Sequence, residues 1–247
     1  MCAEVSGAHN GSMAADELAN LAGLLADRTR ARFLLTLMDG RAWTSGELAK
    51  AADVSQSTAS EHLSRLVRAG VLTERRQGRH RYVQLAGPRE ADLLEHLLAY
   101  LGPVAPERGL RAATASAALA RGRTCYDHLA GRLGVAITDA MVGRRLLDES
   151  FALTPAGSAW LNGLGADGGT DGCKDFGADF GTTRRPLAKA CLDWTERRSH
   201  LAGAAGAYLC AHLHDRGWVR RSGTGRAVAV TDTGRDALAD LLGLSAL

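Results

Sequence analysis

The stretch Ser55-Gln56-Ser57-Thr58-Ala59-Ser60-Glu61-His62-Leu63-Ser64-Arg65-Leu66-Val67-Arg68-Ala69-Gly70 decides the fold. Ser55 is a helix N-cap type, whose hydroxyl can accept from an amide of the first turn. Ala59, Leu63, Leu66 and Val67 recur at the spacing of one helical face. Gly70 stands where a helix should stop. Upstream, Thr44 or Ser45 caps a first short helix with Leu48 and Ala51 inward, and Ala52-Asp53-Val54 supplies the turn between the two helices. Downstream, 71–74 and 81–85 read as strands, joined by the charged tip Arg75-Arg76-Gln77-Gly78-Arg79-His80. Two short helices, a tight turn and a hairpin together make a winged helix-turn-helix.

The second helix carries the chemistry. With Leu63 at the centre of the buried face, a step of about 100° per residue turns Ser57, Thr58, Glu61, Ser64, Arg65 and Arg68 outward. Gln56 sits at the helix start. Gln pairs with adenine, Ser and Thr bond several base edges, and Glu accepts from cytosine. The base-reading candidates are therefore Gln56, Ser57, Thr58, Ser60 and Glu61. The phosphate-binding candidates are Arg65, Arg68, Arg75, Arg76, Arg79 and Arg81. Between residues 54 and 85 six arginines face two glutamates, a surplus of four positive charges, against +3 for all 247 residues. The basic surface is thus local, as an interface for double-stranded DNA on a larger protein requires.

Around this segment, 1–12 reads as a disordered polar tail. Residues 13–38 have a helical pattern broken near Asp27, and Pro88 opens a further helix reaching Leu101. The winged domain is expected to span 13–103. The second half repeats itself: His128-Leu129-Ala130-Gly131 recurs as His200-Leu201-Ala202-Gly203, and Cys125-Tyr126-Asp127 is echoed by Cys191-Leu192-Asp193. These echoes suggest two copies of a helix–helix–hairpin unit, over 104–162 and 184–247, with a Gly- and Asp-rich linker over 163–183. The fold class that follows is mainly α with short β wings: a winged helix-turn-helix followed by two related helix–wing repeats. The would-be recognition helices of the repeats, 135–143 and 207–215, hold no Lys or Arg, so these units are expected to pack rather than to bind DNA.

Cys125-x-x-His128, read as one helical face, offers a thiolate and an imidazole for a transition metal. Cys191 and His200 from the second copy would complete the set Cys125, His128, Cys191 and His200. The competing reading is a buried small thiol beside a core histidine. If the seam between the copies is apolar, Leu129, Leu133, Leu192, Trp194, Leu201 and Tyr208 would instead line a pocket for a small organic effector. Cys210 and His214, four apart, are a weaker pair. No cofactor is required by any motif.

Composition narrows the class. Of the 30 cations 27 are arginine, a planar donor suited to phosphate and guanine. Aromatic residues make up 5%, too few for a single-strand stacking platform. There is no apolar run of bilayer length and no evident signal peptide, so a cytoplasmic protein with reduced cysteines is expected. No Gly-rich phosphate loop, Gly-x-Ser-x-Gly elbow or His-Glu-x-x-His motif argues for an enzyme.

The segments Ser55-Gln56-Ser57-Thr58-Ala59-Ser60-Glu61-His62-Leu63 and Val71-Leu72-Thr73-Glu74-Arg75-Arg76-Gln77-Gly78-Arg79-His80-Arg81-Tyr82 resemble the recognition helix and wing of the ArsR/SmtB family of bacterial repressors. The resemblance covers about 90 residues. It implies a homodimer, paired through its first and last helices, that binds an inverted repeat and releases it on sensing a signal. Two family sensor sites have no counterpart. The first helix of the motif, Glu47-Leu48-Ala49-Lys50-Ala51-Ala52-Asp53, has no thiol. The helix after the wing offers Glu90, Asp92, Glu95 and a lone His96, which do not match the usual ligands. The function expected is a dimeric DNA-binding repressor whose effector, a metal or small organic molecule, acts through the C-terminal half. The alternative is an interaction protein using its winged helix for protein contact.

Overall fold

A computed structural model describes residues 8–78, 80–102, 110–166, 185–222 and 225–245. The chain divides into two compact units, one drawn from residues 1–37 and 41–90, the other from 38–40 and 91–247. The division falls at Glu90–Ala91, inside a helix, rather than at the expected boundary at 103.

The first unit contains α1 (Ala8–Leu25), α2 (Arg28–Leu37), β1 (Trp43–Thr44), α3 (Ser45–Ala52), α4 (Gln56–Arg68), β2 (Leu72–Gln77), β3 (His80–Leu85) and the start of α5 (Pro88–Leu101). The three strands form an antiparallel sheet in the order β1-β3-β2. Phe33, Leu34 and Leu37 of α2, Leu48 of α3, and Leu63 and Leu66 of α4 make the core with Leu72, Val83 and Leu85 of the sheet.

Local chemistry fixes each turn. Thr44 caps α3 in a capping box: its hydroxyl accepts from the Glu47 amide at 3.2 Å, and the Glu47 carboxylate accepts from the Thr44 amide at 2.8 Å. The bonds that the Thr44 amide and hydroxyl donate to it hold the Glu47 carboxyl below its usual range. Asp53, at φ 57, turns the chain out of α3. Ser55 then caps α4, accepting from the Thr58 amide at 3.1 Å. Ser55→Ala is expected to lower the unfolding free energy of the winged unit by about 1 kcal/mol, read from chemical denaturation. No change would mean that water serves this helix end equally well.

A buried arginine not anticipated from the sequence joins three helices. Arg30 donates to the carbonyls of Leu24 (2.6 Å) and Gly23 (2.9 Å) at the end of α1, and its Nη1 lies 3.1 Å from His62 Nδ1 on α4. Asp27 caps α2 through the Arg30 amide at 2.9 Å.

Two expectations for this unit are corrected. α1 begins at Ala8, inside the segment read as a tail to residue 12. The wing strands run longer than predicted, because the ladder continues through Arg75–Tyr82, Arg76–Arg81 and Gln77–His80. The tip therefore falls between Gln77 and His80, and Arg79 lies outside the described residues. Charged side chains on a solvated two-stranded ribbon leave the backbone ladder intact, so charge was a poor marker of where the strands end.

The second unit holds the rest of α5, then α6 (Leu110–Arg121), β4 (Arg123–Cys125), β5 (His128–Ala130), α7 (Gly131–Gly143), α8 (Pro155–Ala166), β6 (Lys189–Leu192), β7 (Ser199–Ala202), α9 (Gly203–Asp215), β8 (Val219–Arg221), β9 (Val228–Val230) and α10 (Asp232–Leu242). Each of the hairpins β4–β5 and β6–β7 feeds straight into a helix through a glycine at left-handed φ, Gly131 at 72° and Gly203 at 83°. A methyl group on Gly131 would come within 2.9 Å of the Ala120 carbonyl oxygen, so sterics and backbone conformation both demand glycine there. The expected order helix–helix–hairpin is replaced by hairpin–helix–strand pair–helix. In the first stretch the later strand pair is a single bridge, Leu147 to Leu153, whereas in the second it is the hairpin β8–β9. α8 runs to Ala166, past the expected start of the linker at 163. Of that linker, 167–183 lies outside the described residues, as does Cys173. The core of this unit joins Leu133, Ile137 and Met141 of α7 with Leu209 and Leu213 of α9, together with Leu161, Val219 and Leu238.

Candidate functional site

Helix α4 presents two contrasting faces. Ala59, Leu63 and Leu66 are buried, while Gln56, Ser57, Ser60, Glu61, Arg65 and Arg68 are exposed. Not all of the candidate readers are equally free. The Thr58 hydroxyl lies 2.9 Å from the Ser55 hydroxyl and is half-buried, so it belongs to the helix cap. The Ser57 hydroxyl also lies near Ser55, at 2.8 Å, but is exposed. Glu61 accepts from Arg65 at 2.7 Å, one turn along the helix.

The wing sorts its arginines by strand alternation. Glu74, Arg76 and Arg81 share the sheet face of the buried residues Leu72, Val83 and Leu85, whereas Arg75 lies on the other face. Arg81 is engaged within the protein: it pairs with Glu74 and donates to the Ser64 hydroxyl of α4 at 3.2 Å. It thereby ties the wing to the helix. Arg75 and Arg76 are exposed.

The second unit brings four of the predicted residues together. A ligand atom of each of Cys125, His128, Cys191 and His200 lies within 4.8 Å of the others, and all four residues are buried. The way they meet differs from the sequence reading. Cys125 and His128 do not share a helical face; they sit opposite each other across β4–β5, with Tyr126 at φ 61 turning the chain. Cys191 and His200 are paired in the same way across β6–β7. The two sulfurs are 4.0 Å apart and the two imidazole centroids 5.1 Å apart.

Each histidine has a carboxylate at Nδ1: Asp127 Oδ1 at 3.2 Å from His128, and Asp193 Oδ2 at 3.2 Å from His200. Burial pushes the Cys125 thiol well above its ordinary range, and its hydrogen bond with Cys191 acts in the same direction. The bond from Cys125 pulls Cys191 far down against burial, with help from both histidines. Burial opposes charge on His128, yet Asp127 and the Cys191 sulfur raise it to about 9.

A chain of buried charges surrounds the cluster. Fully buried Arg123 donates to Asp193 at 3.1 Å and to the Thr195 hydroxyl at 3.1 Å, and its guanidinium lies over the Trp194 ring at 4.8 Å. Asp193 also accepts from the Gly131 amide at 2.6 Å. Arg226 donates to buried Glu95 at 2.9 Å. Arg185 makes a two-pronged contact with Asp127. Sequence reasoning missed the role of Glu95, which sits mid-helix in α5 among apolar residues and carries no local signal of a partner far along the chain.

The seam expected to hold an organic molecule is filled. Leu129 with Leu201, Gly134 with Gly206, Ile137 with Leu209, and Thr138 with Cys210 enclose only about 10 Å³. A separate cavity of about 320 Å³ in the same unit is walled by Leu133, Val228 and Val230, with Arg121, Arg132 and Arg235 around it. Burial pushes the Cys210 thiol up to about 12, which makes it unreactive.

A winged helix-turn-helix with a polar, basic face on its second helix defines a DNA-binding transcriptional regulator. Comparison with known proteins agrees. The model of a helix-turn-helix domain family matches residues 25–75. The HTH-type transcriptional regulator YdfF of Bacillus subtilis (strain 168) is 36% identical over 221 residues, spanning 88% of this chain and 93% of that protein. A Streptomyces lividans protein described as a "Probable mercury resistance operon repressor" is 38% identical over 79 residues, 32% of this chain and 62% of that one. The crystal structure of the transcriptional repressor BigR from Xylella fastidiosa is similar at 25% identity and a TM-score of 0.35, covering 40% of this chain and all of that one. The chain belongs to the HTH-type transcriptional regulators. Among the described residues, no helix is long and apolar enough to cross a membrane.

Proposed function

We propose that this protein is a dimeric, sequence-specific repressor that acts by binding rather than by catalysis. The observation that carries the reading is the exposed polar and basic side of α4, continued by Arg75 and Arg76 on the wing. Gln56, Ser57, Ser60 and Glu61 read base edges in the major groove of an inverted repeat. Arg65, Arg68, Arg75, Arg76 and Arg79 hold phosphates. Thr58 and Arg81 serve by positioning the helix start and the wing. Pairing of two copies is supported by the exposed apolar side chains of Met13 and Leu18 on α1, and of Leu97, Tyr100 and Leu101 on α5. The cavity ringed by Arg121, Arg132 and Arg235 suits a small organic anion as the effector, since guanidinium groups match a carboxylate above apolar walls.

The test is a gel shift on the promoter region of the protein's own gene. Arg76→Ala is expected to weaken binding evenly on specific and scrambled duplexes. Gln56→Ala is expected to narrow the gap between the two duplexes by about 1–3 kcal/mol. Equal affinity of the wild type for both duplexes would refute sequence-specific recognition and favour a role in protein contact.

A further inference from the structure

We propose that Cys125, His128, Cys191 and His200 form a closed, four-coordinate site for a divalent zinc-type ion that staples the hairpin β4–β5 to the hairpin β6–β7. Each hairpin contributes one thiol and one imidazole, set opposite each other by the strand register. Two sulfurs and two nitrogens are the donor set of a tetrahedral site. Metal–sulfur bonds of about 2.3 Å at tetrahedral angles put the sulfurs about 3.8 Å apart. The sulfurs here are 4.0 Å apart. The widest ligand separation, 4.8 Å, involves a nitrogen and closes to a tetrahedral edge by a contraction of about 1.3 Å.

The imidazoles are aimed for this role. Asp127 is hydrogen-bonded to His128 Nδ1, which fixes that ring, and Asp193 stands 3.2 Å from His200 Nδ1; the Nε2 atoms are left as the donors. Both Nε2 atoms are buried and, among the described residues, have no hydrogen-bond partner. Such atoms are costly in a protein interior unless something else satisfies them.

Charge selects the ion. Asp127 is balanced by Arg185, while Asp193 and Glu95 are balanced by Arg123 and Arg226. Two thiolates and a dication make a neutral centre inside this neutral surround. A monovalent soft ion would leave a net negative charge buried, which is unfavourable. With all four positions filled by protein, no coordination site is left for a water or substrate, so the site is structural in kind.

The backbone is shaped to bring the rings together. A methyl group on Gly134 would lie 3.6 Å from the His200 Cβ, and one on Gly206 would lie 3.2 Å from the His128 Cβ. The atoms nearest those methyl groups are the Leu129 and Leu201 carbonyl oxygens, at 2.3 and 2.5 Å, so glycine is demanded first by the packing of each helix on its own hairpin, and at Gly206 also by the close approach of His128.

The experiment titrates full-length, reduced protein with Co(II) and then displaces it with Zn(II). Expected are intense tetrahedral d–d absorption and sulfur-to-cobalt charge transfer at about one equivalent per chain, both abolished by zinc. The triple variant Cys2→Ser/Cys173→Ser/Cys210→Ser leaves the site intact and should reproduce the spectrum. Cys125→Ser and Cys191→Ser should each lose the charge-transfer intensity of one thiolate. Asp127→Asn should weaken zinc binding at least about 10-fold. Weak octahedral absorption without charge transfer in the triple variant would overturn the proposal. So would stoichiometric zinc retained by the Cys125→Ser/Cys191→Ser double variant.

Discussion

Raising salt from 50 to 200 mM should weaken operator binding by about 10⁴-fold. If a dimer contacts about eight phosphates, log affinity falls against log salt with a slope near −7. The source is counterion release, and the groups responsible are the exposed arginines of α4 and the wing. Arg81 should contribute little to this slope, because its guanidinium is paired with Glu74 and bonded to Ser64. Arg76→Ala should reduce the magnitude of the slope by about two in a dimer, one phosphate per protomer. A fluorescence-anisotropy isotherm indifferent to salt would remove the electrostatic basis of the proposed interface.

The second large effect concerns the buried charges of the C-terminal unit. Asp193→Leu removes the nearer carboxylate from Arg123, leaving only Glu95 at 3.9 Å, already paired with Arg226, beside a guanidinium with no exposure to water. It also takes the acceptor from the Gly131 amide and the carboxylate from His200. Leaving one charge of a buried pair uncompensated costs about 3–5 kcal/mol. Denaturant unfolding of the full chain should show that loss in the transition of this unit. The double variant Arg123→Met/Asp193→Leu should recover part of it, since no charge is then stranded. A single-variant loss under about 1 kcal/mol would mean that water reaches Arg123.

The winged unit was legible in the sequence because its signals are local. Thr44 and Ser55 announce helix starts, Leu63 and Leu66 mark a buried face, and the polar run from Gln56 to Glu61 follows from the same periodicity. What stayed hidden were side chains whose partners lie far along the chain. Arg30 looks like one more surface cation until the end of α1 and His62 are placed around it. Glu95 looks like a solvated helix residue until Arg226 arrives from 131 positions away.

The cysteine–histidine set shows both sides of this. The repeated Cys-x-Asp and His-Leu-Ala-Gly strings brought the four residues forward as a group. The helical reading of Cys125 and His128 failed because their spacing of three satisfies two geometries. On a helix it stacks side chains along one face, and across a two-residue turn it sets them opposite each other. Asp127 is a turn-forming type, but Tyr126, which takes φ 61, is not, so the pair gave no clear hairpin signal. The alternative reading, an apolar seam open to an organic ligand, meets a space of only about 10 Å³ between the paired leucines and the glycines at 134 and 206.

The strand order β1-β3-β2 has a consequence for how the protein behaves when crowded. β2 lies at the border of its sheet, and among the described residues no strand pairs with its outward backbone amides and carbonyls. An apolar border strand of that kind recruits strands from other molecules and seeds aggregates. Here the border carries Glu74, Arg75, Arg76 and Gln77. Two such borders brought side by side would oppose arginine to arginine, and the long solvated side chains would have to shed water to pair. The residues proposed to grip a nucleic acid therefore also keep the wing from polymerising during the time it spends off DNA.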